Sequence, residues 1–167
     1  MSYGEARKLT SRQLNANLLR ALEQSRGKRV VNPRVFKNAI LESSDSRVLK
    51  EVVNHFIKKG KSNVKIKLFL NRCASEKFNK NWVSRGEVLK YFGELAEKGD
   101  SFGLRGLMVG VKDSNPSNRG WALRGLSFLA AKGDARALNG LMIGVKDSVG
   151  SNRAWAMFGI GELSKKR

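Results

Sequence analysis

Apolar residues along this chain recur mainly at spacings of three and four, and runs in which apolar and polar residues alternate are short or absent. The first spacing places apolar side chains on one face of an α-helix, whereas alternation is typical of a strand. The sequence therefore predicts an all-α fold of about nine helices. The first helix carries Leu14, Leu18 and Leu22 behind a capping box at 10–13, and a basic turn at 26–29 ends it.

Four further helices are predicted before residue 99. Pro33 favours a helix start because its fixed φ suits the first helical position, with Asn32 as the cap before it. The other three starts are expected at Asp45 or Ser46, near Val64, and near Val83. The helix that begins at Asp45 or Ser46 is expected to stop at Gly60, and the helix from Val83 at about Lys98.

The C-terminal half contains an internal repeat. The stretch LAEKGDSFGLRGLMVGV at 95–111 returns 34 residues later as LAAKGDARALNGLMIGV. A unit of this length cannot bury its apolar face alone, so copies stack on one another. We therefore predict one domain over 1–167, with an N-terminal helix and basic turn at 1–31, two divergent units at 32–82 and regular units at 83–167.

Two kinds of connection alternate in the regular units. Lys-Gly-Asp at 98–100 and at 132–134 predicts a left-handed glycine at a helix end, followed by an aspartate that caps the next helix. The other connection is predicted to be a six-residue loop, at 113–118 and at 147–152, with Ser117 or Ser151 as the cap of the helix after it. Each unit is thus expected to be helix, loop, helix.

Residues 133–161, GDARALNGLMIGVKDSVGSNRAWAMFGIG, resemble the short HEAT repeats of bacterial and archaeal proteins. That pattern runs Gly-Asp-x-Arg-Ala, an apolar helix, Lys-Asp, a turn and Arg-x-x-Ala. The resemblance implies a right-handed α-solenoid, in which Arg119 and Arg153 brace the loop aspartates Asp113 and Asp147. Tetratricopeptide repeats share the period, but the leucine expected before their glycine is Arg124 here. HEAT repeats occur in binding scaffolds, lyases and DNA glycosylases, so the resemblance implies a fold and not an activity.

The charge balance changes the picture of function. The chain has 33 Lys and Arg against 14 Asp and Glu, a formal net charge of +19. Helix capping and dipole effects do not require such an excess, whereas a polyanionic partner would neutralise it. We predict a non-catalytic protein that binds nucleic acid, DNA or RNA, through phosphate contacts with little base readout. The alternative is a protein-interaction scaffold with an acidic partner.

The candidate contacts are cations that recur with the period of 34 residues, cations clustered on turns, and Trp82 as a stacking side chain at a helix start. Some have a structural alternative, because arginines can brace a loop and lysines at a helix C-terminus stabilise its dipole. The nucleic-acid-binding candidates are Arg26, Lys28, Arg29, Arg34, Lys58, Lys59, Lys61, Lys65, Lys67, Lys80, Trp82, Arg85, Lys98, Lys112, Arg119, Lys132, Lys146, Arg153 and Lys166.

Signals for catalysis are weak. His55 is the only histidine, which excludes a multi-histidine metal cluster, and Cys73 lies in an apolar pattern that favours burial. We therefore expect no cofactor and no metal. A HEAT-like DNA glycosylase is a third alternative, with Asp100 or Asp134 near a tryptophan. The equivalent tryptophans Trp121 and Trp155 are predicted core residues.

Cellular location is bounded by two absences in the sequence. No apolar run approaches the roughly 18 residues typical of a membrane span, and the polar N-terminus has no hydrophobic secretory segment. A single cysteine suits a reducing compartment. We expect an intracellular protein, cytoplasmic or associated with a nucleoid or nucleus, and the sequence leaves its oligomeric state open.

Overall fold

A computed structural model of the chain describes residues 33–43, 45–60 and 64–166. These residues form eight α-helices and no strand, which confirms the all-α prediction within the described ranges. The predicted first helix lies outside them. The helices are α1 (Pro33–Glu42), α2 (Ser46–Gly60), α3 (Val64–Cys73), α4 (Trp82–Glu97), α5 (Leu104–Gly110), α6 (Pro116–Ala131), α7 (Leu138–Gly144) and α8 (Gly150–Ser164).

The helices lie in two layers. In the first layer α2 packs against α4, α4 against α6, and α6 against α8. In the second layer α3 contacts α5 and α5 contacts α7, and each of these short helices also packs on the first layer. Because α6 has neighbours on several sides, it is apolar nearly all round, as the sequence predicts for a sandwiched helix.

Helices α4, α6 and α8 of the first layer run parallel and approach closely. A Cβ added to Gly93 of α4 would lie 3.8 Å from the Cα of Gly125 in α6, and a Cβ added to Gly159 of α8 would lie 2.7 Å from the Cα of Ser127 in α6. Small residues at these points let two backbones meet, and large ones between them, such as Leu123, are fully buried. Each such leucine contributes about 1.5–3 kcal/mol by leaving water.

The tight turns form as predicted. Gly99 and Gly133 have φ of 80° and 91°, which is the left-handed region that favours glycine. Asp100 then accepts a hydrogen bond from the backbone N–H of Phe102 at 2.9 Å. Asp134 does the same for Arg136 at 3.1 Å. Each aspartate caps a short 3-10 turn that leads directly into α5 or α7.

The predicted cap of the longer connection is wrong. Asn115, not Ser117, caps α6, because its side chain accepts from the N–H groups of Ser117 and Asn118, and Pro116 fixes φ at the first helical position. Ser151 lies inside α8, whose N-terminal flanking residue is Val149 and has no side-chain cap. The loops are therefore 111–115 and 145–149, which begin two residues and end three residues before the predicted 113–118 and 147–152.

The earlier helix starts agree with the sequence. Asp45 accepts from the N–H of Arg47 at 2.9 Å ahead of α2, and Asn81 accepts from the N–H of Ser84 at 3.2 Å ahead of α4. In the part of the chain that the structure describes, no helix combines the length and apolar character needed to cross a membrane.

Candidate nucleic-acid interface

Three arginines occupy equivalent positions near the starts of α4, α6 and α8, and we call them the arginine column (Arg85, Arg119 and Arg153). The first is buried, with a side chain 2% exposed. Its Nε and Nη2 donate to the two carboxylate oxygens of Asp113 at 2.5 and 2.9 Å, and its Nη1 donates to the carbonyl of Asn79 at 2.9 Å. All three guanidinium nitrogens of Arg85 are thus satisfied inside the protein.

The second member of the column repeats this geometry closer to the surface. Arg119 donates from Nε and Nη2 to Asp147 at 2.7 and 3.1 Å, and from Nη1 to the carbonyl of Asp113 at 3.1 Å. The third member, Arg153, keeps only the loop contacts, to the carbonyls of Asp147 and Ser148 at 2.8 and 3.1 Å. Its side chain is exposed.

These contacts refine one expectation and correct another. Each arginine holds the loop of its own unit through backbone carbonyls, whereas the loop carboxylate pairs with the arginine of the preceding unit, 28 residues earlier. The bracing implied by the resemblance is present at the backbone, since Arg119 and Arg153 donate to the carbonyls of Asp113 and Asp147. The side-chain carboxylates add an inter-unit ion pair that the resemblance did not imply. Arg85, a candidate ligand contact, is buried, and each of its guanidinium nitrogens donates a hydrogen bond within the protein, so it has a structural role instead.

The ion pair between Arg119 and Asp147 shifts the pKa of both groups. The Arg119 hydrogen bond lowers the pKa of Asp147 below its ordinary value, although partial burial opposes this. Hydrogen bonding to Asp147 in turn raises the pKa of Arg119. Both groups are therefore charged near neutral pH, and the charge of Arg119 is already matched by a carboxylate.

Lysines recur at the opposite ends of the same units. We call Lys98, Lys132 and Lys166 the helix-end row, because they lie just after the C-terminal ends of α4, α6 and α8. Since those helices run parallel, the three side chains come together along one edge. All three are exposed, and none forms an ion pair with any residue that the structure describes.

A second set lies at the other edge. We call Lys112 and Lys146 the loop row, since they lie just after α5 and α7, beside the starts of α6 and α8. Both are exposed, and neither is ion-paired within the described ranges. A 16-residue helix such as α6 is about 24 Å long, so the two rows do not form the single surface that alignment of the repeats alone allows.

Trp82 joins the edge that carries the loop row. It is the first residue of α4, its side chain is 56% exposed, and the neighbouring Lys80 is exposed as well. Its carbonyl accepts from the side chain of Asn118 at 3.0 Å, which fixes the backbone to α6. By contrast Trp121 and Trp155 pack against the hydrophobic core, as predicted.

The remaining candidates are less informative. Lys65 and Lys67 of α3 are exposed, and the Nζ of Lys67 lies 5.2 Å from the centre of the Phe102 ring. Arg34, Lys58 and Lys59 lie within α1 and α2, but their side chains are outside the described part of the structure. Four further candidates lie entirely outside the described residues, namely Arg26, Lys28, Arg29 and Lys61.

Sequence reasoning missed a groove that repeats between successive units of the second layer. The larger copy encloses about 600 Å³ between the loop after α5 and the C-terminal part of α7, with Met142, Ile143 and Lys146 in its wall. Met142 and Ile143 are 52% and 40% exposed. A smaller copy of about 270 Å³ includes Val109 and Lys112. The signal was present in LMVGV and LMIGV, which carry more apolar residues than one buried face needs.

Three other kinds of site were expected to be absent or weak: a metal site, a reactive cysteine and a catalytic aspartate. They include no group of three or more His, Cys, Asp or Glu side chains able to hold a metal ion. Burial raises the pKa of Cys73 to about 12, so its thiol stays protonated. Asp100 and Asp134 serve as caps, and Asp134 also pairs with Arg136 at 2.7 Å, which lowers its pKa.

No protein-family model, curated protein or solved structure matches this chain.

Proposed function

We propose that this chain is a right-handed, HEAT-like α-solenoid that binds nucleic acid through the phosphate backbone and does not catalyse a reaction. The observation that supports this best is the contrast between its cations. The arginines Arg85 and Arg119 are consumed by internal ion pairs, whereas the helix-end row and the loop row are exposed and lack a carboxylate partner among the described residues. These repeated lysines therefore remain available to an anionic ligand.

The spacing of the rows suits a regular polyanion. Packed helices lie about 8–10 Å apart, and phosphates on one strand of DNA rise by about 3.4 Å each. Successive lysines of a row would therefore meet about every third phosphate. Contacts of this kind position the ligand without reading bases, so we propose little sequence preference. We also propose an intracellular site of action, where such a ligand is available.

The experiment is a fluorescence-anisotropy titration of nuclease-treated protein against duplex DNA, single-stranded DNA and RNA at about 50, 150 and 300 mM salt. Affinity should fall linearly on a log-log plot, by about 10³ or more between 50 and 200 mM salt if six or more phosphates are neutralised. Binding that does not respond to salt would contradict phosphate recognition. The order of the three affinities would identify the preferred nucleic acid.

Matched variants separate the rows from charge in general. Changing the helix-end row, Lys98, Lys132 and Lys166, to Gln should reduce the slope of the log-log plot by about 2–3. The control changes three exposed lysines outside both rows, Lys37, Lys50 and Lys77, to Gln and removes the same net charge. Its slope should change by less than about 1. Equal losses in the two triple variants would mean that no particular surface binds.

The repeated groove favours a second candidate function, the binding of an acidic protein segment. Its wall combines exposed apolar side chains, Met142 and Ile143, with the loop-row cation Lys146. An amphipathic acidic helix presents that combination in complementary form. Met142→Gln should weaken binding of an acidic helical peptide that carries leucines at spacings of three and four, and should leave nucleic-acid affinity unchanged. If the variant weakens neither, the groove is not a binding site.

A further inference from the structure

Helix α8 is nearly uncharged in a chain of net charge +19. Its 15 residues, GSNRAWAMFGIGELS, contain one arginine and one glutamate, at 153 and 162, and apolar residues occupy positions all round it. A helix of this composition is expected to be covered on every side. α6 covers one side of it and α7 another.

One side of α8, which no residue in the described ranges covers, corresponds to a side that α6 buries. α6 presents Gly120 and Ser127 towards α8, where a Cβ on Gly120 would meet the side chain of Asn152 at 2.7 Å. The fully buried Leu123 lies between them in the sequence and meets Gly144 of α7. We call the equivalent residues of α8, Ala154, Met157 and Gly161, its outer face. Met157 is 65% exposed, and no described atom lies within 4 Å of a Cβ added to Gly161.

One substitution between the units removes charge from this side. The positions equivalent to 158 are Lys90 in α4 and Arg124 in α6, each within 6 Å of a tryptophan ring of the next helix. α8 has Phe158 there, 45% exposed and 6.2 Å from the Trp155 ring centre. A cation suits a side that faces a partly solvated indole within the chain, whereas an exposed phenylalanine suits an apolar partner.

We propose that the outer face of α8 binds the same face of a second copy of this chain, with the two helices antiparallel. Its order is small, large, small, at spacings of three and four residues. In an antiparallel pair with the two-fold axis at Met157, Ala154 therefore lies opposite Gly161 of the other copy. Small residues also allow α4 to approach α6 and α6 to approach α8 closely within the chain, although those pairs are parallel and join two different faces.

The identity of the partner is argued from charge and symmetry. Two chains of net charge +19 repel each other, and contact is tolerable where the contacting surface carries almost no charge. The outer face is such a surface. It is also self-complementary, which an interface with an unrelated protein has no reason to be. This proposal does not depend on nucleic-acid binding.

The test is sedimentation equilibrium of the full, nuclease-treated chain at about 0.3 M salt, where repulsion is screened, from about 1 to 200 µM. We expect a reversible transition from one chain to two. Met157→Lys and, separately, Phe158→Arg, which restores the residue type of position 124, should each raise the dimer Kd by at least about a hundredfold, because every substitution enters the interface twice.

Met142→Lys is the matched control, since it makes the same change at an exposed methionine of α7, away from the outer face. Its dimer Kd should change by less than about threefold. Circular dichroism and thermal melts of each variant below 1 µM would show that the monomer remains folded. A chain that is monomeric over the whole range, or a Met142→Lys variant as impaired as Met157→Lys, would overturn the proposal.

Discussion

Arg85 and Arg153 hold equivalent positions two units apart, yet their surroundings are opposite. The guanidinium of Arg85 is buried and bonded to the carboxylate of Asp113, whereas Arg153 is exposed and holds only the carbonyls of its own loop. Arg119 is intermediate, since its side chain is 17% exposed and pairs with Asp147. Burial of the column therefore decreases from α4 to α8.

The difference lies in the carboxylate that the next unit supplies to each arginine. An aspartate 28 residues later completes the pair for Arg85 and for Arg119, whereas Arg153 has no carboxylate partner among the residues that the structure describes. Every arginine of the column therefore donates a hydrogen bond to a backbone carbonyl of its own loop. Whether it also forms an ion pair depends on the neighbouring unit. Substitutions along the column can separate these two interactions.

The largest effect is expected for Arg85→Ala. The substitution leaves the carboxylate of Asp113, which is 1% exposed, buried without its cation, and breaking a buried pair on one side costs about 3–5 kcal/mol. Urea unfolding followed by circular dichroism measures this loss in the free energy of unfolding. A double variant, Arg85→Met with Asp113→Leu, removes both charges and should recover most of it. A loss below about 1 kcal/mol for Arg85→Ala would contradict the buried ion pair.

The ion pair between Arg119 and Asp147 should make the stability of the fold depend on pH. Because folding lowers the pKa of Asp147, the carboxylate stabilises the fold at pH values above its unfolded pKa of about 3.9. That stability is lost as the pH falls through the lower, folded pKa. Asp147→Asn should therefore cost about 1.5–3 kcal/mol at pH 7, and the difference from the native chain should shrink towards pH 3. Parallel stability curves for the two proteins would rule out this account.

The predictable parts of the fold are those that local sequence controls. Helix periodicity, the glycines at 99 and 133, and the aspartate caps at 100 and 134 each act within four residues, and each appears in the structure as predicted. The predicted cap of α6 is wrong, and the reason is also local. Asn115 and Pro116 together give a stronger start than the serine after them.

The arginine pairing was not predictable in the same way. The sequence shows Asp113 and Arg119 six residues apart, and nothing local reveals that the carboxylate turns to Arg85 of the preceding unit. The separation of the lysine rows also depends on packing, because their two edges are defined only once α4, α6 and α8 lie parallel. Recurrence at 34 residues identifies equivalent positions but not the side of the stack on which they lie.

Substituting a residue whose role is local should reduce stability equally in every unit, unlike substitutions in the arginine column. Gly99→Ala and Gly133→Ala place a Cβ in the left-handed region, with ordinary contact or open space around it, so each should lose about 1–2 kcal/mol. Gly161→Ala is the control, since it also meets open space but lies in a helix and should stabilise by up to about 1 kcal/mol. Thermal melts of dilute protein compare the three. Unequal losses at 99 and 133 would mean that neighbouring units affect these turns.

The smallest effect on stability is expected at the exposed end of the column. Arg153→Ala removes two hydrogen bonds to loop carbonyls at the surface and should cost less than about 1 kcal/mol in urea unfolding. The same side chain has Nε and Nη2 without a partner among the described residues, so it is the one arginine of the column able to meet a phosphate. Arg153→Ala should therefore reduce the log-log salt slope by about 1, while Arg119→Ala, if folded, should change it less. An unchanged slope for Arg153→Ala would mean that Arg153 does not contact phosphate. Binding at the edge that carries the loop row would then rest on Lys112 and Lys146 alone.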